Sequence, residues 1–402
     1  MRREEKSERR FRLALASVLF RLVRTRPLAE NPFDLVRNRD GVKGPSGART
    51  LGREAQEPKP RGRPAILVVR QQNQMGDMLL ASPCLRALRG HFPDAYIALL
   101  ASHENQAVVR DNPHLDEVFV YDKPRFRRSP VELLRLLAAL RARRFDVAIV
   151  LSTVSLSVTS VLLALLSGAR YRVSYGGKDY GMSFADAAFH VPVPLGDPGV
   201  HQTRLGLGLL EHFGITAEDL SPMMATTAEA DEFARAFLAG HNVDPSHTVV
   251  GIHPGAGKRK NRWPASSFGQ VAEALAEGAR VIAIAGPSDK DVLAEMLREV
   301  ALPMPLLSGE SIGRVAAVLK RLSLFICNDT GVLHVAAAVG CPTLALFGPT
   351  DPEKWAPLTP ACRTIRAPSA DLAGLGVGPV LAAAREILAA GTAGAKPKKE
   401  HD

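Results

Sequence analysis

Residues 324–350 read LFICNDTGVLHVAAAVGCPTLALFGPT, and within them the apolar period changes twice. Leu324–Cys327 is a short apolar run that fits a buried strand, and Asp329-Thr330-Gly331 fits a tight turn. Val332–Val339 fits a short helix closed by Gly340 and Cys341-Pro342, and Thr343–Phe347 fits a second buried strand. Such a helix opens with unpaired backbone N–H groups and a partial positive charge, a setting that suits a phosphate. Asp329, Thr330 and His334 crowd this turn at the carboxyl end of the first strand, where open α/β sheets hold ligands. Two plainer readings stand beside this one: Asp329 as a helix cap, and His334 as a satisfied core histidine.

Working outward, the same alternation recurs on both sides. Ile66–Val69 is a buried strand, Arg70 to Asp77 is the loop that leaves it, and Ser82-Pro83 can open a helix that ends at Gly90. A helix that starts at Gly76 and kinks at Pro83 is equally compatible with the sequence. Strands at Ala95–Leu100, Glu117–Tyr121, Val147–Leu151 and near Tyr171 alternate with helices at Pro130–Arg143 and Val158–Leu166. Gln202–Gly214 is a closing helix. Further strands follow at Val249–His253 and Val281–Ala285. This alternation predicts mostly parallel sheets with helices on both faces, and 402 residues suffice for two such domains.

Three ordered motifs carry a resemblance. DTGVLHVAAAVGCPTLALFGPT (329–350), ILVVRQQNQMGDMLLASPCLRAL (66–88) and VGIHPGAGKRKNRWP (250–264) are similar to motifs of family nine glycosyltransferases, the lipopolysaccharide heptosyltransferases, over about residues 66–360. The resemblance implies an α/β GT-B fold, two Rossmann-like domains facing a central cleft. The expected boundaries are a basic extension at 1–63, an acceptor domain at 64–225, a nucleotide-sugar domain at 226–375, and a C-terminal helix and basic tail at 376–402. It also implies an inverting, metal-independent transfer of a heptose from ADP-heptose, a co-substrate rather than a cofactor, to a lipid-linked saccharide of the lipopolysaccharide core.

The chemistry requires a base for the acceptor hydroxyl and positive charge for the departing diphosphate. Asp77, in a glycine-bearing loop after the first strand, suits the first role, and the resemblance places the family's catalytic aspartate there. An Asx turn is the plainer reading. For the diphosphate, Lys258, Arg259, Lys260 and Arg262 follow the flexible Gly255-Ala256-Gly257, and Thr330, Gly331 and Val332 open the helix. At least two of these four cations are expected to be simply solvated. The family usually carries lysine where Asn261 stands, so Lys260 and Arg262 compete for that role. The acidic residue expected to hold the ribose falls on Ser288, with Asp289 next to it. Trp263 and Trp355 are candidates for stacking on a base or sugar, or for core packing. His253 precedes the loop. No metal site is expected.

Composition excludes other classes. Residues 1–63 hold 17 Lys and Arg against 8 Asp and Glu, leaving 34 against 33 in the remaining chain. A nucleic-acid-binding fold would carry its basic patch on the folded body, which is neutral overall. From Arg9 to Arg24, Phe11, Leu15, Val18, Leu19 and Leu22 share one helical face, opposite Arg10, Ser17, Arg21 and Arg24. That pattern suits an anionic membrane surface contacted through residues 1–60, and a helix docked on the body is the alternative. Residues 38–64 read as a flexible linker. Cys84, Cys327, Cys341 and Cys362 have no C-x-x-C spacing, which with the absence of an eighteen-residue apolar run predicts a cytoplasmic protein peripheral on the inner membrane. A nicotinamide oxidoreductase is disfavoured because Gln71–Gly76 occupies the turn where G-x-G-x-x-G would stand. A non-catalytic membrane-associated scaffold or nucleotide-sugar-binding protein is the other alternative, against which Asp77, Asp329 and the cation cluster together speak.

Overall fold

The structure, a computed structural model, describes residues 25–37, 63–71, 74–244, 246–301 and 303–394. The amphipathic stretch Arg9–Arg24, all but the end of the expected linker, and the tail from Lys396 lie outside the described residues.

The strands in chain order are β1 (Ala65–Arg70), β2 (Tyr96–Ser102), β3 (Glu117–Tyr121), β4 (Val147–Val150), β5 (Tyr171–Tyr175), β6 (Val191–Val193), β7 (Val249–His253), β8 (Arg280–Ala285), β9 (Leu306–Ser308), β10 (Leu324–Asn328), β11 (Thr343–Phe347) and β12 (Cys362–Arg366). The helices are α1 (Pro32–Arg37), α2 (Met75–Leu80), α3 (Ser82–His91), α4 (Lys123–Arg128), α5 (Pro130–Ala142), α6 (Val158–Leu166), α7 (Gln202–Glu211), α8 (Ala228–Gly240), α9 (Ala265–Ala276), α10 (Lys290–Leu297), α11 (Ile312–Leu319), α12 (Gly331–Ala338), α13 (Pro352–Trp355) and α14 (Val377–Gly394). Short 3-10 turns join some of them.

The strands form two six-stranded sheets, ordered β3-β2-β1-β4-β5-β6 and β12-β11-β10-β7-β8-β9, with every pairing parallel. Renumbered from its own first strand, the second sheet has the order of the first. Each is the doubly wound Rossmann arrangement with its switch point between first and fourth strands, so the expected two-domain α/β architecture is found. Central strands are buried along their whole length, as in β1, β4, β7, β10 and β11. Strands covered by helices on both faces need apolar side chains on both, hence their uninterrupted apolar runs.

Two compact units divide the chain. One takes in the described residues up to Gln71, Cys84–Gln106 and Pro113–Glu218; the other takes in Gln74–Pro83, Ala107–Asn112 and the described residues from Asp219 on. Part of the sequence expected to be extension belongs to the first unit. The Thr25 and Leu28 N–H groups donate to the Ala187 and His190 carbonyls at 3.3 and 3.0 Å. Phe33 is buried against Phe92 and Phe213, with ring centroids 5.7 and 5.2 Å away. In the second unit, Val380, Ala383 and Ala384 of α14 complete the core built on β7, β8, β10 and β11.

The ambiguity around Pro83 resolves into two helices, α2 and α3, separated at Ala81. Pro83 sits in the first turn of α3, where its missing N–H costs nothing. Ser82 Oγ ties this break down, donating to the Leu79 carbonyl at 2.6 Å and accepting from the Met223 N–H at 2.9 Å.

Candidate active site

In the second unit, β7 and β10 lie side by side at the switch point. Their carboxyl ends therefore release two loops into one crevice, Pro254–Trp263 after β7 and Asp329-Thr330 after β10. The helix α2, which carries Asp77 in its first turn, packs against α12 in this same unit. The contact is close: a Cβ placed on Gly76 would lie 2.6 Å from His334 Cδ2.

These segments enclose a cavity of about 450 Å³ lined by Gln74, Met75, Gly76, Asp77, Gly257, Lys258, Asn261, Asp329, Thr330, Gly331, His334, Thr350 and Trp355. That volume falls in the ordinary range for small-molecule sites. A larger cavity of about 770 Å³, lined by Arg235, Leu238, Val249 and Arg321 among others, lies at the amino end of β7. It also holds Asp244 and His247, but it sits at the end of the sheet where doubly wound folds do not bind ligands.

Hydrogen bonds between distant segments shape the smaller cavity. Asn328, fully buried at the end of β10, accepts the Trp263 N–H at 2.9 Å and donates to the Pro254 and Gly255 carbonyls at 2.9 and 3.2 Å. One amide thus pins both ends of the loop. Asn261 Nδ2 donates to Asp329 Oδ2 at 3.1 Å and to Thr350 Oγ1 at 3.0 Å. Burial pushes the Asp329 carboxyl above its ordinary value, opposed by its hydrogen bonds with Thr350 and Asn261 and by the Lys258 charge. Thr330 precedes α12 without capping it through its side chain, so the first N–H groups of the helix remain available to a ligand.

A profile of Glycosyltransferase family 9 (heptosyltransferase) matches residues 133–373. The chain belongs to this family. Among curated relatives, Lipopolysaccharide heptosyltransferase 3 of Escherichia coli K12 is 29% identical over 293 residues, 71% of this chain and 83% of the relative. Lipopolysaccharide heptosyltransferase 2 of the same strain is 26% identical over 312 residues, 73% and 85% of the two chains. Among solved structures, the family 9 glycosyl transferase of Veillonella parvula has a TM-score of 0.74 at 22% identity, covering 81% of this chain and 97% of that one. The E. coli ADP-heptose lipopolysaccharide heptosyltransferase II has a TM-score of 0.67 at 23% identity, covering 81% and 99%. These two likenesses identify the fold as that of the family.

Within this family 9 glycosyltransferase, the structure sorts the residues singled out from sequence. Asp77, Lys258, Asp329, Thr330, Gly331 and His334 line the cavity, with His334 itself 4% exposed. Lys260 and Arg262 do not: Lys260 is exposed, and Arg262 Nε donates to the Ala256 carbonyl at 2.8 Å. Val332, Gly255, Ser288 and Asp289 are likewise outside the lining. Ser288 is exposed. Asp289 turns inward, 5% exposed, its Oδ2 accepting the Gly286 N–H at 2.8 Å and lying 3.9 Å from His253 Nε2. Gly255 is explained by that carboxylate, since a Cβ there would meet Asp289 Oδ1 at 2.3 Å. Burial lowers the His253 pKa, and its Nδ1 meets the Ile284 carbonyl at 2.8 Å. This group organises the root of the loop.

The two tryptophans have separate fates. Trp263 is wholly buried, its Nε1 donating to the Leu375 carbonyl at 2.8 Å, whereas Trp355 lines the cavity. Gln74, Asn261 and Thr350 are polar lining residues to which the sequence alone assigns no role. Asp289-Lys290-Asp291 also has the D-x-D spacing found in metal-dependent sugar transferases, but the fold separates the pair: Asp289 is buried as described and Asp291 is exposed on α10. No group of three or more His, Cys, Asp and Glu side chains among the described residues is placed to hold a metal.

Proposed function

We propose that this enzyme is an inverting, metal-independent heptosyltransferase that moves a heptose from ADP-heptose to a lipid-linked saccharide of the lipopolysaccharide core type. The observation that carries the reading is the gathering of a carboxylate, a cation and a helix start around one cavity: Asp77, Lys258 and Gly331. In a single displacement the acceptor oxygen bonds to the anomeric carbon from the face opposite the diphosphate. Asp77 takes the hydroxyl proton, the bond from anomeric carbon to phosphate oxygen breaks, and its electron pair leaves with the nucleoside diphosphate. Lys258 and the first N–H groups of α12 neutralise that developing charge. Asp329, steadied by Asn261 and Thr350, accepts hydrogen bonds from donor hydroxyls.

Heptose and lipopolysaccharide are supported by the curated relatives, which are lipopolysaccharide heptosyltransferases. ADP is supported by fold neighbours such as the E. coli heptosyltransferase WaaC with ADP. A lipid-linked acceptor places the work at the cytoplasmic face of the inner membrane, with residues 1–60 as one point of contact. No helix among the described residues is long and apolar enough to cross a membrane.

The test is turnover of a panel of nucleotide sugars with an acyl-free core acceptor, followed by NMR of the product linkage. The proposal expects preference for ADP-heptose and an anomeric configuration opposite to the donor's. Retained configuration, or preference for another sugar nucleotide, overturns it.

A further inference from the structure

The neutral total of the body conceals one segment of the first unit that is far from neutral. From Asp122 to Arg144, eight Lys and Arg stand against only Asp122 and Glu132, so the rest of the body is net negative. This segment is α4 and α5. The inner side of α5 buries Leu137 and Leu140, at 8% and 0% exposure, in the core of the unit. After Pro130 its exposed residues are Val131, Leu134, Arg135, Ala138, Arg141 and Ala142, which at this spacing form one outward stripe.

That stripe should be polar on a helix whose only task is to cover a sheet. Instead Leu134 is 64% and Val131 54% exposed. Single exposed aliphatics are common and mean little; here charge surrounds them. Glu132 is met by both Arg125 and Arg135, at 2.9 and 2.6 Å, and is thereby neutralised. Lys123, Arg127 and Arg128 are exposed on α4, and Arg141 and Arg144 are exposed at and just beyond the far end of α5. An aliphatic stripe with exposed cations at both of its ends matches one partner chemistry: anionic headgroups that pair with guanidinium, above an apolar layer that takes Leu134 and Val131.

We infer that α4 and the outer stripe of α5 form a docking face for an anionic lipid surface, carried by the folded body and separate from the residues 1–24 stretch. The inference does not depend on which sugar is transferred. Each basic residue near such a surface contributes roughly a factor of five in partitioning, screened by salt.

The experiment uses the full chain and vesicles of phosphatidylcholine with or without phosphatidylglycerol. Arg127→Glu with Arg128→Glu should weaken partitioning onto the anionic vesicles at least about 30-fold, and Leu134→Ser should weaken it several-fold. All three sites are exposed, so the fold should survive. As a direct readout, Leu134→Trp in the otherwise intact chain should shift its emission to the blue on anionic vesicles and be quenched by brominated acyl chains. Unchanged partitioning of the charge-reversed chain, with no shift at residue 134, overturns the inference and leaves attachment to other parts of the molecule. Unchanged partitioning together with a raised KM for an acyl-free acceptor also overturns it, by making the arginines an anion site for the acceptor saccharide.

Discussion

Gly76→Ala adds one methyl group at the point where α2 meets α12. Gly76 lies within a helix, so alanine keeps the backbone and gains about 0.5–1 kcal/mol of helix propensity. Against that, the new Cβ stands 2.6 Å from His334 Cδ2, 3.0 Å from Nε2 and 3.3 Å from Cγ. Carbon atoms in contact prefer about 3.5–4.0 Å, so the two helices must separate by roughly 1 Å or the buried imidazole must leave its place. Overpacking of this kind costs about 1–3 kcal/mol and outweighs the propensity gain. Asp77 is the next residue on α2, and Thr330 and Gly331 lie one turn before His334, so the displacement falls on the cavity itself. Misplacement of a reacting group by about 1 Å costs on the order of 100-fold in rate. The expected result is a folded enzyme with kcat lowered about 100-fold and Tm lowered by a few degrees. Steady-state rates for Gly76→Ala, His334→Ala and the double variant isolate the cause. With the ring gone the methyl group has room, so the loss in the double variant should be smaller than the product of the two single losses. A Gly76→Ala enzyme within a few-fold of wild type, or fully multiplicative losses, refutes the reasoning.

Other outcomes follow from the same site. Lys258 alone of the four loop cations lines the cavity, so Lys258→Ala should lower kcat by about 10- to 100-fold, and Lys260→Ala and Arg262→Ala, measured in the same assay, should lose less. Because burial raises the folded pKa of Asp329 above its ordinary 3.8, its ionisation opposes folding at neutral pH, and this penalty fades as pH falls through the raised value toward 3.8. Asp329→Asn should therefore be at least as stable as wild type near pH 7 by denaturant midpoint, with any gap closing near pH 4, while binding donor more weakly; a destabilised variant at neutral pH contradicts this. Activity should survive excess chelator, and loss restored by added magnesium would show that a divalent ion bridges the phosphates.

Much of the fold is legible in the sequence for a simple reason. A strand buried on both faces has to be apolar throughout, so Val249–His253 and Thr343–Phe347 coincide with β7 and β11. The short peripheral strands β6, β9 and β12, with sequences VPV, LLS and CRTIR, are half exposed and show no such run. The site divides along similar lines. Asp329-Thr330-Gly331 stands just beyond the end of an apolar strand, where position marks it, whereas Asp77 lies seven residues past β1 in the first turn of α2 and is marked by the motif it belongs to. Asn261 earns its place through hydrogen bonds to residues 68 and 89 positions away, and no local pattern encodes those. Within the run Lys258 to Arg262, the 3-10 turn Arg259–Asn261 decides which side chains face the cavity; a count of cations does not. The +1 balance of the body likewise hid the basic α4–α5 segment, because a total carries no information about where charges fall.

The central claim is that Asp77 takes the proton from the acceptor hydroxyl. Asp77→Asn keeps the size and shape of the side chain and removes its charge and with it its capacity as a base, so it separates catalysis from packing. Single-turnover rates with saturating ADP-heptose and acceptor, alongside donor affinity measured by calorimetry, give both quantities on one preparation. The account predicts a rate lowered by about 100-fold or more with donor affinity within a few-fold of wild type. A near-normal rate in the folded variant contradicts it.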